Sequence, residues 1–179
     1  MIIGLVPGAM KPYHAGHHFL VEKASEECDK VIIITTTKDR KNLSGKKMKL
    51  AWDKLITPKL NNNTEVSFVV SPIGTVFDMM EEENKNPTCH QYRIYGGTED
   101  RQRFNQDYIE TKWPNIKNRF INVADARKGD FQRGVGLSPL AKGEWIRSSI
   151  VCRDSEKFRS YLPELLKPIA EEYLSTLAD

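Results

Sequence analysis

The chain has 179 residues, a net charge of +3, 39% hydrophobic and 28% charged residues. That size supports one domain with a full core, and the composition is that of a soluble globular protein rather than a fibrous or disordered one. The small positive excess does not call for nucleic acid as partner, and no apolar run approaches the roughly 20 residues that span a bilayer.

In chain order, Met1–Val6 reads as a first strand and Gly16–Cys28 as a helix with Phe19, Leu20, Lys23 and Ala24 near one face. Lys30–Thr37 is an almost unbroken β-branched run, the kind covered on both faces in a parallel sheet. Ser44 is positioned to cap a helix over Lys46–Ile56, which Pro58 closes. A third strand is expected at Glu65–Ser71, a helix near Thr75–Glu83, and a fourth strand at Gln91–Tyr95 ending in Gly96-Gly97. A helix over Glu99–Lys112 and a fifth strand at Arg119–Ala124 follow. Asp125–Gly143 is rich in glycine and charge and is expected to be the mobile loop, and Ser155–Leu177 reads as helical with new turns opening at Pro163 and Pro168.

Strands alternating with helices predict a Rossmann-like, doubly wound α/β fold: a parallel five-stranded sheet with C-terminal helices. Residues 1–150 are expected to form the main α/β unit and 151–179 a helical extension of it. Ligands in such sheets sit at the carboxyl ends of strands, at a topological switch point. The N-terminus lacks a basic lead and cleavage site. Cys28, Cys89 and Cys152 form no CxxC pair and are odd in number, which suits reduced thiols in a cytoplasmic protein.

The densest information lies in residues 8–17, between the first strand and the first helix. There Gly8, Lys11, His14 and His17 arrive together at a strand's carboxyl end, and the amides of Gly8, Ala9 and Met10 and the helix start are expected to add free N–H groups. His14 and His17, three apart, share one side of the first turn, and Gly16 lets a ligand approach the backbone. This is a pattern for the phosphates of a nucleotide. A zinc reading, joining His14, His17 and His18 to Cys28 or Asp39, needs ligands from both faces of the helix and is weak. His18 is expected to be a surface neighbour whose substitution is nearly silent.

Gly8-x-x-Lys11-Pro12-x-His14-x-Gly16-His17 after an N-terminal strand resembles the signature of the HxGH nucleotidyltransferase superfamily, the adenylyl- and cytidylyltransferases. That resemblance implies transfer of AMP from ATP, or CMP from CTP, to a phosphate-bearing acceptor, with release of pyrophosphate and use of Mg²⁺. It implies catalytic roles for Lys11, His14 and His17. In relatives an Ile-Ser-x-Thr-x-Ile-Arg segment opens a late helix and holds the triphosphate tail. Here Ile146-Arg147 matches its end, but Lys142 and Glu144 stand where Ser and Thr are expected. Arg147 is the expected phosphate ligand, with Lys142 as a replacement cation, Ser148 at the helix start and Trp145 placed to stack on a base.

The turn at Gly96 and Gly97, with Asp100, corresponds to the family's base and ribose contacts. After the second strand, Thr37 and Arg40, and then Lys47 at the next helix start, are candidates for the acceptor. ATP with a mononucleotide acceptor, such as nicotinamide mononucleotide, is the first reading. CTP with a phosphorylated alcohol or sugar, or a non-catalytic nucleotide-binding module, are the alternatives. The family also allows a homo-oligomer.

Overall fold

The computed structural model describes residues 1–97, 99–123 and 143–178. Five parallel strands form one sheet: β1 (Ile2–Pro7), β2 (Lys30–Thr35), β3 (Thr64–Phe68), β4 (Gln91–Tyr95) and β5 (Phe120–Val123), in spatial order β3-β2-β1-β4-β5. The order reverses between β1 and β4, so their loops part there and leave a crevice at the carboxyl edge. The helices are α1 (Ala15–Glu27), α2 (Gly45–Ala51), α3 (Pro72–Lys85), α4 (Asp100–Arg103), α5 (Gln106–Lys112), α6 (Gly143–Val151), α7 (Ser155–Ser160) and α8 (Ala170–Leu177). No helix among the described residues is long and apolar enough to cross a membrane.

Each face of the sheet carries its own core, because strand side chains alternate. Val6, Val31 and Ile33 face α1, α2 and the C-terminal helices, packing with Trp52, Phe158 and Tyr173. Ile3, Leu5 and Ile34 face α3 and α5, packing with Val76, Met80, Phe104 and Trp113. Trp52 and Trp113 are therefore core residues, while Trp145 is half-buried. In α1 the buried side is His18, Leu20, Val21 and Ala24, not the stripe through Phe19 and Lys23 that the sequence suggests.

Several boundaries move for visible reasons. The long helix expected over Glu99–Lys112 is two, because Asn105 caps a fresh start by accepting from the Tyr108 N–H. The helix after Ser44 loses α-helical regularity at Trp52 and runs as a π-turn, Trp52–Ile56, before a 3₁₀ turn containing Pro58. Ser44 caps it as expected, accepting from the Lys47 N–H. Pro163 introduces the 3₁₀ turn Glu164–Ile169, and Pro168 lies inside that turn. The segment 124–142, which holds nearly all of the expected mobile loop together with Lys142, lies outside the described residues.

Gly45 joins α2 to the loop after β2. Its N–H donates to Asp39 Oδ1 at 2.7 Å, and a Cβ built there would lie 1.7 Å from the Thr37 carbonyl oxygen. The obstacle is backbone, so the loop carrying Asp39 and Arg40 would have to move. Gly45→Ala is expected to destabilise the protein by about 2–3 kcal/mol, measured by urea unfolding. An unchanged midpoint would show that the loop yields freely.

Candidate active site

β1 ends in Pro7, and the chain then turns through a loop that returns the backbone to the start of α1. Gly8 donates its N–H to the Ile34 carbonyl at 2.9 Å, so that amide belongs to the sheet edge. Met10 follows with φ of +46°, a left-handed conformation rare for a residue with a side chain, and its side chain is buried. The Lys11 ammonium is folded back under this loop, donating to the carbonyls of Thr36 and Ala9.

His14 is the N-cap of α1. Its Nδ1 accepts from the Gly16 N–H at 3.0 Å and its side chain takes the His17 N–H as well, while His17 Nδ1 accepts from the His14 N–H at 3.3 Å. Ala15 donates its N–H to the Tyr161 carbonyl at 2.9 Å. The first N–H groups of α1 are thus engaged within the protein, which corrects the expectation of free amides at the helix start. The chemistry passes to the side chains. A ring nitrogen that accepts carries no proton, so each neutral imidazole bears its hydrogen on Nε2. The two rings stack with centroids 3.9 Å apart and an angle of 25°.

These groups line a cleft of about 630 Å³ at the switch point between β1 and β4. Gly8, Met10, Lys11, His14 and His17 form its floor. Arg40 and Lys41 come from the loop after β2, Gly97 and Asp100 from the turn after β4, and Glu144 and Arg147 from the first turns of α6. The Arg147 guanidinium donates to the Lys11 carbonyl at 3.0 Å, tying α6 to the floor. Burial lowers the proton affinity of both Lys11 and Arg147, and the nearby Arg40 guanidinium lowers it further. Asp39 and Glu144 partly offset this.

On the opposite wall Asp100 accepts from the Gly97 N–H at 3.2 Å and from Arg103 at 3.3 Å, and burial pushes its carboxyl up. Gly96 must be glycine for this: a Cβ would meet Asp100 Oδ2 at 2.1 Å. Among the described residues no group of three or more His, Cys, Asp or Glu gathers as a protein-held metal would need.

Other expected residues lie elsewhere. Gly16 is buried at the start of α1 behind the cleft. Thr37 is exposed, and its carbonyl abuts Gly45. Lys47 donates to the Ala178 carbonyl at 3.2 Å, capping the end of α8, so a lysine at the start of α2 is explained without a substrate. Ser148 and Trp145 line a separate hollow of about 150 Å³ beside Tyr161. The sequence reading missed Lys41, whose φ of +51° turns it into the cleft and leaves no trace in residue type.

His18 is not a surface residue. It is buried, its Nδ1 is 2.7 Å from the Tyr13 hydroxyl, and Nε2 is 3.4 Å from Glu22. Burial lowers its pKa below the ordinary value, with Glu22 acting in opposition. The unfolded chain therefore takes up this proton first, so the stability that neutral His18 contributes is whole above about pH 6.5 and is lost as pH falls toward the folded pKa. His18→Ala should cost about 1–3 kcal/mol by leaving the buried Tyr13 hydroxyl without its partner. In addition, the fall in urea midpoint between about pH 7 and pH 5 should be smaller in His18→Gln than in the wild type. Equal slopes would remove His18 as the titrating group.

Over residues 4–68 the chain matches the family model described as the citrate lyase ligase C-terminal domain. No curated protein matches it. Its fold is that of solved adenylyltransferase structures. One, assigned as a nicotinate-nucleotide adenylyltransferase from Vibrio parahaemolyticus, superposes with a TM-score of 0.53 at 15% identity, over 95% of this chain and 98% of that one. Another is a bifunctional NMN adenylyltransferase/ADP ribose pyrophosphatase from Francisella tularensis, with a TM-score of 0.56 at 13% identity. It is covered over 97% of this chain and 49% of its own, so the chain spans about half that protein's length. The Francisella protein complexed with AMP and a manganese ion matches at a TM-score of 0.52, with 12% identity. Matched family model, fold and signature loop thus converge on the HxGH nucleotidyltransferases as the family that this chain resembles.

Proposed function

We propose that the protein is a nucleotidyltransferase that moves a nucleoside monophosphate, AMP in the first instance, from a nucleoside triphosphate to a phosphate-bearing acceptor. One observation carries the reading: burial and the Arg40 guanidinium lower the proton affinity of both Lys11 and Arg147 in a cleft floored by two stacked imidazoles. Cations gathered against their own repulsion are stabilised by a polyanion. The volume is right for one nucleotide with part of a second substrate.

The proposed chemistry needs no general base, since a phosphate nucleophile is already ionised at neutral pH. An acceptor oxygen forms a bond to the α-phosphorus, the bond from that phosphorus to the β-bridging oxygen breaks, and pyrophosphate leaves with the electron pair. Alignment and charge neutralisation supply the acceleration. In this reading the Nε2–H groups of His14 and His17 donate to the α- and β-phosphate oxygens, Lys11 sits below them as a fixed charge, and Arg147 takes the outgoing pyrophosphate. Arg40 and Lys41 face the acceptor's phosphate. Gly97 and Asp100 border the base and ribose. The separation of Thr37, Lys47 and Ser148 from the cleft argues against direct contact by their side chains.

A divalent cation fits the cleft as an ion borne by the phosphates. The carboxylates on its walls are matched to arginines, Asp100 and Glu99 to Arg103 and Glu144 to Arg147. When bound, Mg²⁺ or Mn²⁺ would neutralise charge on the triphosphate; manganese accompanies AMP in the Francisella structure. The similarity to mononucleotide adenylyltransferases supports ATP and a mononucleotide acceptor; CTP is the alternative that the same cleft admits.

The test is pyrophosphate release with ATP or CTP against phosphorylated acceptors, nicotinate and nicotinamide mononucleotides first. His14→Asn keeps a good N-cap but removes the Nε2–H donor, so turnover should fall about 10²- to 10³-fold with little change in melting temperature. His17→Ala should lose turnover to a similar degree and about 1 kcal/mol of stability through the broken capping box. Full turnover in either variant, or no release with any pairing, would overturn the assignment.

A further inference from the structure

Tyr173 lies in α8, is fully buried, and donates its hydroxyl to the Tyr13 carbonyl at 2.9 Å, across 160 residues of chain. Tyr13 directly precedes the N-cap, so its carbonyl stands outside the helical ladder and needs a partner from elsewhere. Two residues on, Ala15 donates to the Tyr161 carbonyl. The C-terminal helical region therefore grips the backbone on both sides of His14.

The side chain of Tyr13 is held as firmly. Its hydroxyl meets His18 Nδ1 at 2.7 Å, and its ring rests on Trp52 with centroids 4.8 Å apart. Its other neighbour is the His17 ring, nearly parallel at 19° and 5.9 Å away, and His17 in turn stacks on His14. Tyr13, His17 and His14 form one column. The lower end of that column is fixed by Tyr173, and the upper end faces the cleft. Its entry segment begins at Met10, in a left-handed conformation that a free chain disfavours, so the placement of the column has to be imposed from outside the loop.

We infer that Tyr173 is a positioning residue for the imidazole pair: through the Tyr13 carbonyl it sets where the Nε2–H groups of His14 and His17 stand. Its effect on rate rests on the nucleotidyl-transfer reading; its effect on the rings does not. Displacing a donor by about 1 Å can cost up to about 100-fold in rate, without a matching change in ground-state binding.

The experiment uses three variants of the full chain. Tyr173→Phe removes only the hydroxyl, Tyr13→Phe cuts the hold on His18, and Tyr92→Phe is the control. Tyr92 is a buried tyrosine of the opposite core whose hydroxyl donates to Glu83 at 3.0 Å. Tyr173→Phe and Tyr13→Phe should each lower kcat about tenfold or more while KM for the nucleoside triphosphate stays within about twofold; Tyr92→Phe should leave kcat within about twofold. Long-range ¹H–¹⁵N spectra of the ligand-free protein, labelled at histidine, should show His14 and His17 as Nε2–H tautomers. Those signals should shift toward tautomer averaging in the first two variants and stay unchanged in the control.

A Tyr173→Phe protein that matches the control in kcat and in its histidine signals would overturn the inference. If the wild type transfers no nucleotide to any acceptor but the histidine signals move in Tyr173→Phe, the positioning role stands and the functional reading falls. Should Tyr173→Phe fail to fold, Tyr173→Met, which also lacks the donor to the Tyr13 carbonyl, decides by the same two readouts.

Discussion

Two imidazoles that accept hydrogen bonds from their own helix are the constraint on which the site depends. Backbone N–H groups at a helix start must be satisfied, and serine or aspartate usually does it. Here His14 and His17 do it with Nδ1, each closing onto the other's segment. That arrangement fixes ring plane, tautomer and mutual stacking at once. With the amides at the start of α1 engaged, what the imidazoles can offer the cleft is their Nε2–H groups, beside the cations that line it. A pair of serines in these positions would cap the helix equally well and leave the cleft without those donors.

The cation cluster has a matching logic. Lys11 is nearly inaccessible to solvent, and Arg147 reaches across from α6 to the Lys11 carbonyl. Neither placement is favourable alone, since burial opposes both charges and Arg40 opposes them again. The fold holds them through elements that have their own reasons to be there: β1 and β2 pair, α1 packs over them, and α6 buries Ile146 and Ile150. A rigid scaffold thus holds like charges together in one cleft against burial and their mutual repulsion.

Much of this is legible in the sequence, and the failures have physical causes. The β-branched runs at Ile2–Val6 and Val31–Thr35 and the two glycines after Tyr95 specify the parallel sheet and where its loops gather, because two-faced burial leaves few residue types to choose from. Lys11, His14, His17, Arg40, Gly97, Asp100 and Arg147 are met in one cleft on that basis. His18 and Ser148 show the limit. Each is a single residue from a cleft-lining neighbour, but one step along a helix turns a side chain by about 100°, which carries His18 into the core beside Tyr13 and Ser148 to the far side of α6. Lys47 stands apart from the cleft for another reason: it reaches a carbonyl 131 residues away, and no local pattern encodes that bond.

The bond from Tyr173 to Tyr13 has a consequence for how the molecule is made. The signature loop is translated 160 residues before its brace. At about 5–20 residues per second that is an interval of roughly 8–30 seconds, during which the nascent loop has strands to pair with but no anchor beneath it. The stacked rings would therefore gain their hold only once α8 docks, so that nascent chains stopped short of Tyr173 would carry the signature loop without its brace.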